Sequence, residues 1–172
     1  MRGVVLVEGT SDRVALETLA ARRGRDLRAE RVAVVAIGGA QAVARALEPL
    51  VAGDLRIAGL CDAGEEPWFR RAFERTGVDP AGIHVCDADL EDELIRALGA
   101  DAVEAVVEAH GDLQPFRTLQ RQPAWRGRAR EQQLRRFMGS GGRRKIRYAR
   151  FLVEALDPAR VPEPLDLALA HV

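Results

Sequence analysis

Four short runs of apolar, largely β-branched residues, at positions 4–7, 32–37, 57–61 and 83–86, constrain this chain more than any other feature. A strand with one wet face alternates apolar and polar residues. An apolar run without that alternation needs cover on both faces, which is the habit of parallel sheets packed between helices. Residues 11–22, 41–51 and 66–76 lie between the runs and carry apolar side chains at three-to-four spacing, so each predicts a helix joining two strands by a right-handed crossover. Thr10 or Ser11 is placed to cap the first of these helices, and Gly53 and Gly77 to stop the second and third. Gly38-Gly39 is placed to turn the second strand into the second helix, or to let backbone approach a phosphate. Past Asp89 the pattern is helical, at 90–98, 102–109, 131–138 and 144–156. Residues 114–133 hold two prolines, two aromatics and many arginines, and predict an irregular or mobile segment. The expected fold is α/β, a central parallel sheet of about four strands flanked by helices. Residues 1–110 are expected to form its core and 111–172 an Arg-rich helical extension packed on the same domain.

The length of 172 residues suits one compact domain with a real core. No apolar run approaches the roughly 18 residues of a membrane span, and the N-terminus lacks the charged, apolar and small-residue pattern of a secretory signal. A soluble, cytosolic protein without a membrane partner is expected. Cys61 and Cys86 each end an apolar run and read as small buried side chains in a reducing compartment. The net charge of zero hides an asymmetry: residues 54–109 carry 14 acids against 5 arginines, and residues 112–150 carry 12 bases against 2 acids. Either run alone is an ordinary solvated face. Together they suit a polyanion gripped by the basic part while cations on the acidic part meet its charge.

In an open α/β sheet, ligands gather beyond the carboxyl ends of the strands. Here those ends deliver Glu8 and Asp12, then Asp62, Glu65 and Glu66, then Asp87, Asp89, Glu91, Asp92 and Glu93. Crowded carboxylates repel one another unless cations intervene, and an all-oxygen set suits magnesium, manganese or calcium.

These residues resemble a known family. "VLVEGTSD" at 5–12, "IGG" at 37–39, "GLCDAGEE" at 59–66 and "DLEDEL" at 89–94 are similar to the TOPRIM domain, above all to that of OLD-type (overcoming lysogenisation defect) nucleases. The resemblance covers roughly residues 4–98, extending to "GGRRKIRYA" at 141–149. It implies a Rossmann-like TOPRIM fold. It also implies Glu8 as metal ligand or acid-base group, Asp62 as the first acid of the second motif, Asp12 as an acid one turn into the first helix, and Glu91 or Glu93 as ligands of a second metal. Two departures stand out. The family's Asp-x-Asp is replaced by Asp62-Ala63-Gly64 with Glu65 and Glu66 behind it, so that either glutamate reaches the same metal or a ligand is lost. Asp87-Ala88-Asp89 also spells Asp-x-Asp, but it would skip a strand. The ATPase module that normally precedes the domain is not seen, which implies a chain acting alone or with a separate ATPase partner.

The function expected is a metal-dependent nuclease of the TOPRIM/OLD type using two magnesium or manganese ions, with nucleic acid, DNA ahead of RNA, cut by water that the metal activates. Its catalytic residues are expected to be Glu8, Asp62 and Lys145, the only lysine among 26 basic residues. A compact ammonium approaches a phosphate where a planar guanidinium does not fit. Expected metal ligands are Glu8, Asp12, Asp62, Glu66, Asp89, Glu91 and Glu93. Arg126, Arg128, Arg135, Arg143, Arg144 and Arg147 are expected to grip phosphates. Trp125 either stacks on a base or packs, Trp68 and Phe69 are expected in the core or an oligomer contact, and His84 reads as structural. A topoisomerase needs a tyrosine nucleophile, and Tyr148, the only tyrosine, lies in the basic helix without gate domains. The alternatives are a TOPRIM binding module that has lost catalysis, working with a partner, and a phospho-acceptor signalling domain built on Asp62.

Overall fold

The computed structural model describes the whole chain, Met1–Val172. Strands β1 (Gly3–Val7), β2 (Val32–Ala36), β3 (Arg56–Asp62) and β4 (Ile83–Cys86) form one parallel sheet in the order β2-β1-β3-β4. The chain steps from β1 to β2 on one side and then crosses to β3 on the other. The sheet therefore reverses its winding between β1 and β3, and in such folds the crevice at the carboxyl ends of the two strands flanking that reversal is where ligands bind.

β1 explains its own composition. Val4, Val5, Leu6 and Val7 are all fully buried, Val5 and Val7 in the core on one face, Val4 and Leu6 in the core on the other. Each such side chain contributes roughly 1.5–3 kcal/mol of burial, and no polar residue fits on either side. The smaller core lies under α2 (Val43–Leu47) and α3 (Glu66–Thr76), with Leu47, Phe69 and Phe73. Gly59 of β3 gives Phe69 its place, because a Cβ there would stand 2.8 Å from the ring. The larger core lies under α1 (Thr10–Arg22), α4 (Leu90–Leu98), α5 (Ala100–Ala109), α6 (Leu113–Arg121), α7 (Arg130–Gly139), α8 (Gly142–Ala155) and α9 (Glu163–Ala170). Phe137, Leu152 and Leu169 thus share a core with Val5. The α1 and α8 ends are tied by the Arg22 guanidinium, which donates to the carbonyls of Val153 and Leu156 at 2.7 and 2.8 Å, groups a helix end leaves open. No helix is long and apolar enough to cross a membrane.

Several elements differ from the sequence expectation. The second helix is only a 3-10 turn, Ala40–Ala42, followed by α2. Much of the segment expected to be irregular is α6: Pro115 sits in its first turn, where its missing N–H costs nothing, Phe116 is buried against Phe137, and Arg117 reaches Glu104 at 2.5 Å. Helix α9, not expected, packs Leu165, Ala168 and Leu169 into the larger core. α1 is capped neither by Thr10 nor by Ser11; Gly9 stands at the N-cap, and the Asp12 carboxylate accepts from its N–H at 2.9 Å. Of the neighbours Trp68 and Phe69 on α3, Phe69 is buried and Trp68 faces out.

Candidate metal centre

Glu8 directly follows β1 and Asp62 ends β3. Because Val7 pairs with Leu60 in the parallel register, these two acids emerge side by side at the crevice. The Glu8 carbonyl accepts from the N–H groups of Gly38 at 3.0 Å and Gly39 at 3.2 Å. Both glycines hold positive φ, 78° and 112°, so the turn that positions Glu8 needs them. With those two N–H groups taken, the pair anchors the crevice rather than offering donors to a phosphate.

Three residues after Asp62 the chain starts α3, and Glu65 stands at its N-cap. Carboxylate oxygens of Glu8, Asp62 and Glu65 all lie within 4.8 Å of one another. Glu66, one residue on, turns away and pairs with Arg70 a turn along α3. Glu65 is thus the third oxygen donor where the family's second Asp is missing. Gly64 itself faces open space.

The crevice is a cavity of about 270 Å³ whose walls include Glu8, Asp12, Asp62, Gly142 and Lys145. Lys145 lies in the early part of α8, and its Nζ is 3.3 Å from the Glu91 Oε2. Glu91 is only 5% exposed, and its other oxygen has no hydrogen-bond partner, as is also true of the Glu65 Oε2. The open Glu65 acceptor, meeting oxygens of Glu8 and Asp62, fits a hard divalent cation, which would be held by these three carboxylates. Cys61 and Cys86 are unsuited as ligands, since burial pushes the Cys61 thiol up to about 12 and the Cys86 thiol higher still.

The remaining predicted residues fall elsewhere. Asp89 caps α4 by accepting from the Asp92 N–H at 2.8 Å and pairs with Arg135 at 2.7 Å. Glu93 accepts from the Asp87 N–H at 2.8 Å and pairs with Arg96 at 2.6 Å, which closes the turn between β4 and α4. Arg147 is held by Asp112. Arg143 and Arg144 lie at the start of α8, Arg144 over the Phe137 ring at 4.3 Å. Arg128 and Arg135 line a groove next to the crevice, and Arg126 is exposed.

The acids carry the mark of crowding. Burial first, and then Asp12, Asp89 and Glu8, hold the Asp62 carboxyl up to about 7. A hydrogen bond with Glu8 is the main cause that holds Glu65 up to about 8. Burial raises Asp12 and Glu91 as well, although Gly9 and Lys145 respectively offset part of it. Burial acts against the Lys145 ammonium, but Glu91, Asp12 and Asp62 outweigh it and keep the lysine above its ordinary value.

These shifts make a prediction. An acid whose pKa rises on folding holds a proton that the unfolded chain has released, so stability falls as pH climbs from about 4 to the folded values and is level above them. For Asp62 and Glu65 that window closes at about 7 and about 8. Solvent screening at these partly open positions leaves on the order of 2 kcal/mol. The metal-free melting temperature should then drop by about 4–8 °C between pH 5 and pH 8.5. Manganese should reverse the drop at pH 8.5 and have little effect at pH 5, as differential scanning fluorimetry reads directly. A flat profile in EDTA would remove the crowded acids from the account.

Residues 1–63 match the family model described as overcoming lysogenization defect protein-like, TOPRIM domain. Over those residues the chain is similar to an OLD-like TOPRIM domain. Its whole fold is similar to the C-terminal region of the Burkholderia pseudomallei OLD protein, with a TM-score of 0.68 at 20% identity, covering 98% of this chain and 95% of that one. It is also similar to the C-terminal region of the Xanthomonas campestris pv. campestris OLD protein, with a TM-score of 0.69 at 23% identity, covering 99% and 91%. No curated protein matches it significantly. The likeness to these structures is one of fold, and the acidic triad of Glu8, Asp62 and Glu65 is suited to a metal.

Proposed function

We propose that this OLD-like TOPRIM chain is a magnesium- or manganese-dependent nuclease that hydrolyses phosphodiester bonds of nucleic acid, DNA ahead of RNA. The observation that carries this reading is the meeting of the Glu8, Asp62 and Glu65 oxygens within 4.8 Å of one another, in a crevice that also admits Lys145. Glu8, Asp62 and Glu65 would hold the divalent metal, which when bound would supply Lewis acidity toward a phosphate and a water. The chain's own residues do the rest. Glu8 and Asp62 are fixed by the sheet, so the ligand geometry is preset. Lys145 brings a positive charge to the same wall, where a phosphate oxygen gains negative charge in the transition state. Arg126, Arg128 and Arg143 are free to take flanking phosphates, whereas Arg135 and Arg147 already hold Asp89 and Asp112.

The position of the Glu65 oxygen beside Glu8 and Asp62, where Gly64 offers none, supports the nuclease reading over that of a binding module. Incubation of end-labelled DNA and RNA oligonucleotides with manganese, magnesium or EDTA tests the proposal. Cleavage in manganese and none in EDTA is expected; manganese binding without cleavage of either nucleic acid overturns it. Affinity in EDTA should fall steeply with salt, and Arg128→Gln together with Arg143→Gln should flatten the log–log slope by roughly 0.7–0.9 for each phosphate that is no longer neutralised.

A further inference from the structure

Beside the crevice lies a second cavity of about 510 Å³, a size that suits a nucleotide-like ligand. Lys145 lines both cavities. The groove's cations are Arg128, Arg135, Arg136 and Lys145, and its acids are already neutralised, Asp89 by Arg135 at 2.7 Å and Glu91 by Lys145 at 3.3 Å. A single apolar side chain lines it, that of Trp125.

That tryptophan is held in place. Its carbonyl accepts from the Gln133 Nε2 at 2.9 Å and from the Arg128 N–H at 3.1 Å. Gln133 is itself 6% exposed, and its own Oε1 accepts from Gln120 at 2.7 Å. A buried amide between two helices thus fixes a short non-helical loop whose only aromatic is Trp125. The ring is partly exposed, with the Arg136 guanidinium 5.8 Å from its centroid.

We propose that this groove holds an unpaired base of the substrate, stacked on Trp125, and that the substrate class is a strand with unpaired bases beside the scissile phosphate: a single strand, a flap or a frayed end. The inference rests on the nuclease reading for the role of the crevice. One aromatic face among cations is the chemistry that recognises a nucleotide, since the ring takes the base and the guanidinium groups take the phosphates. An acyl chain or a helical peptide would need an apolar lining that the groove lacks. A closed duplex keeps its base faces inside its own stack and offers Trp125 nothing, so a duplex would use the arginines alone.

The chain has two tryptophans, so Trp68→Phe leaves Trp125 as the sole reporter. Fluorescence of this variant is followed in EDTA during titration with a thymidine oligonucleotide and, separately, with a blunt two-strand duplex closed by G·C pairs at both ends and free of loops. Quenching by the single strand and little or none by the saturating duplex is expected. Trp125→Ala should weaken single-strand binding roughly tenfold or more, Trp125→Phe much less, and duplex binding should not move. Absence of quenching at saturating single strand overturns the inference, and so does an equal loss of single-strand and duplex affinity in Trp125→Ala. The two readings fail separately. If manganese-dependent cleavage persists without quenching, the groove assignment falls alone; if quenching occurs in a protein that cleaves neither DNA nor RNA, the nuclease reading falls and the stacking site stands.

Discussion

Glu8→Gln is expected to abolish manganese binding and nucleic-acid cleavage, and to raise the melting temperature of the metal-free protein at pH 8. Both effects come from one position. Glu8 shares the crevice with Asp62 and Glu65, and it is the first cause of the raised Glu65 value and a contributor to that of Asp62. Its amide replacement keeps the shape but removes a negative charge, so the metal-free protein sheds repulsion while the cation loses a ligand. Changing a group that merely supports a metal ligand already costs about 10–100-fold in affinity or activity, and loss of a ligand itself should cost more. Isothermal titration with manganese and thermal melts in EDTA measure the two arms. Cleavage at the normal rate, or a lower metal-free melting temperature at pH 8, contradicts the assignment. An ordinary structural glutamate would show the second outcome.

Lys145→Arg is expected to lower turnover roughly 100-fold, the scale on which loss of one preorganised transition-state interaction is felt, while affinity for nucleic acid in EDTA changes only a few-fold. Charge is conserved in this exchange, so the ion pair with buried Glu91 survives and the fold with it. What changes is shape: a planar guanidinium replaces a compact ammonium in the lining of two cavities, one of them only about 270 Å³. Single-turnover rates against equilibrium binding separate the two effects. Equal losses in both would make Lys145 one more phosphate grip, and normal turnover would remove it from the chemistry.

The parallel sheet was legible in the sequence because its cause is local. A strand buried on both faces must be apolar at every position, and Val4 to Val7 meet that demand within four residues. Adjacent strand ends then bring Glu8 and Asp62 together once the winding reverses between β1 and β3, a consequence of connection order that needs no side-chain detail. Helix α6 was hidden for the opposite reason: its local signal, a proline, points away from a helix, while burial of Phe116 against Phe137 and the pairing of Arg117 with Glu104 favour one.

The same division runs through the site. That acids cluster at the carboxyl edge follows from the order of residues along the chain. Which oxygens converge does not: Glu65 and Glu66 are neighbours of identical chemistry, and the first turn of α3 aims one at Glu8 and the other at Arg70. Of the arginines, the sequence could count them but not tell that Arg135 and Arg147 are already engaged, since Asp89 and Asp112 lie 46 and 35 residues away along the chain. Lys145 comes to the crevice only because α8 packs across α1. Residue type and spacing set what a strand end can offer, because both act over a few bonds; the partner a charged side chain finds is set by helix packing across the whole core, and that was decided only in the folded chain.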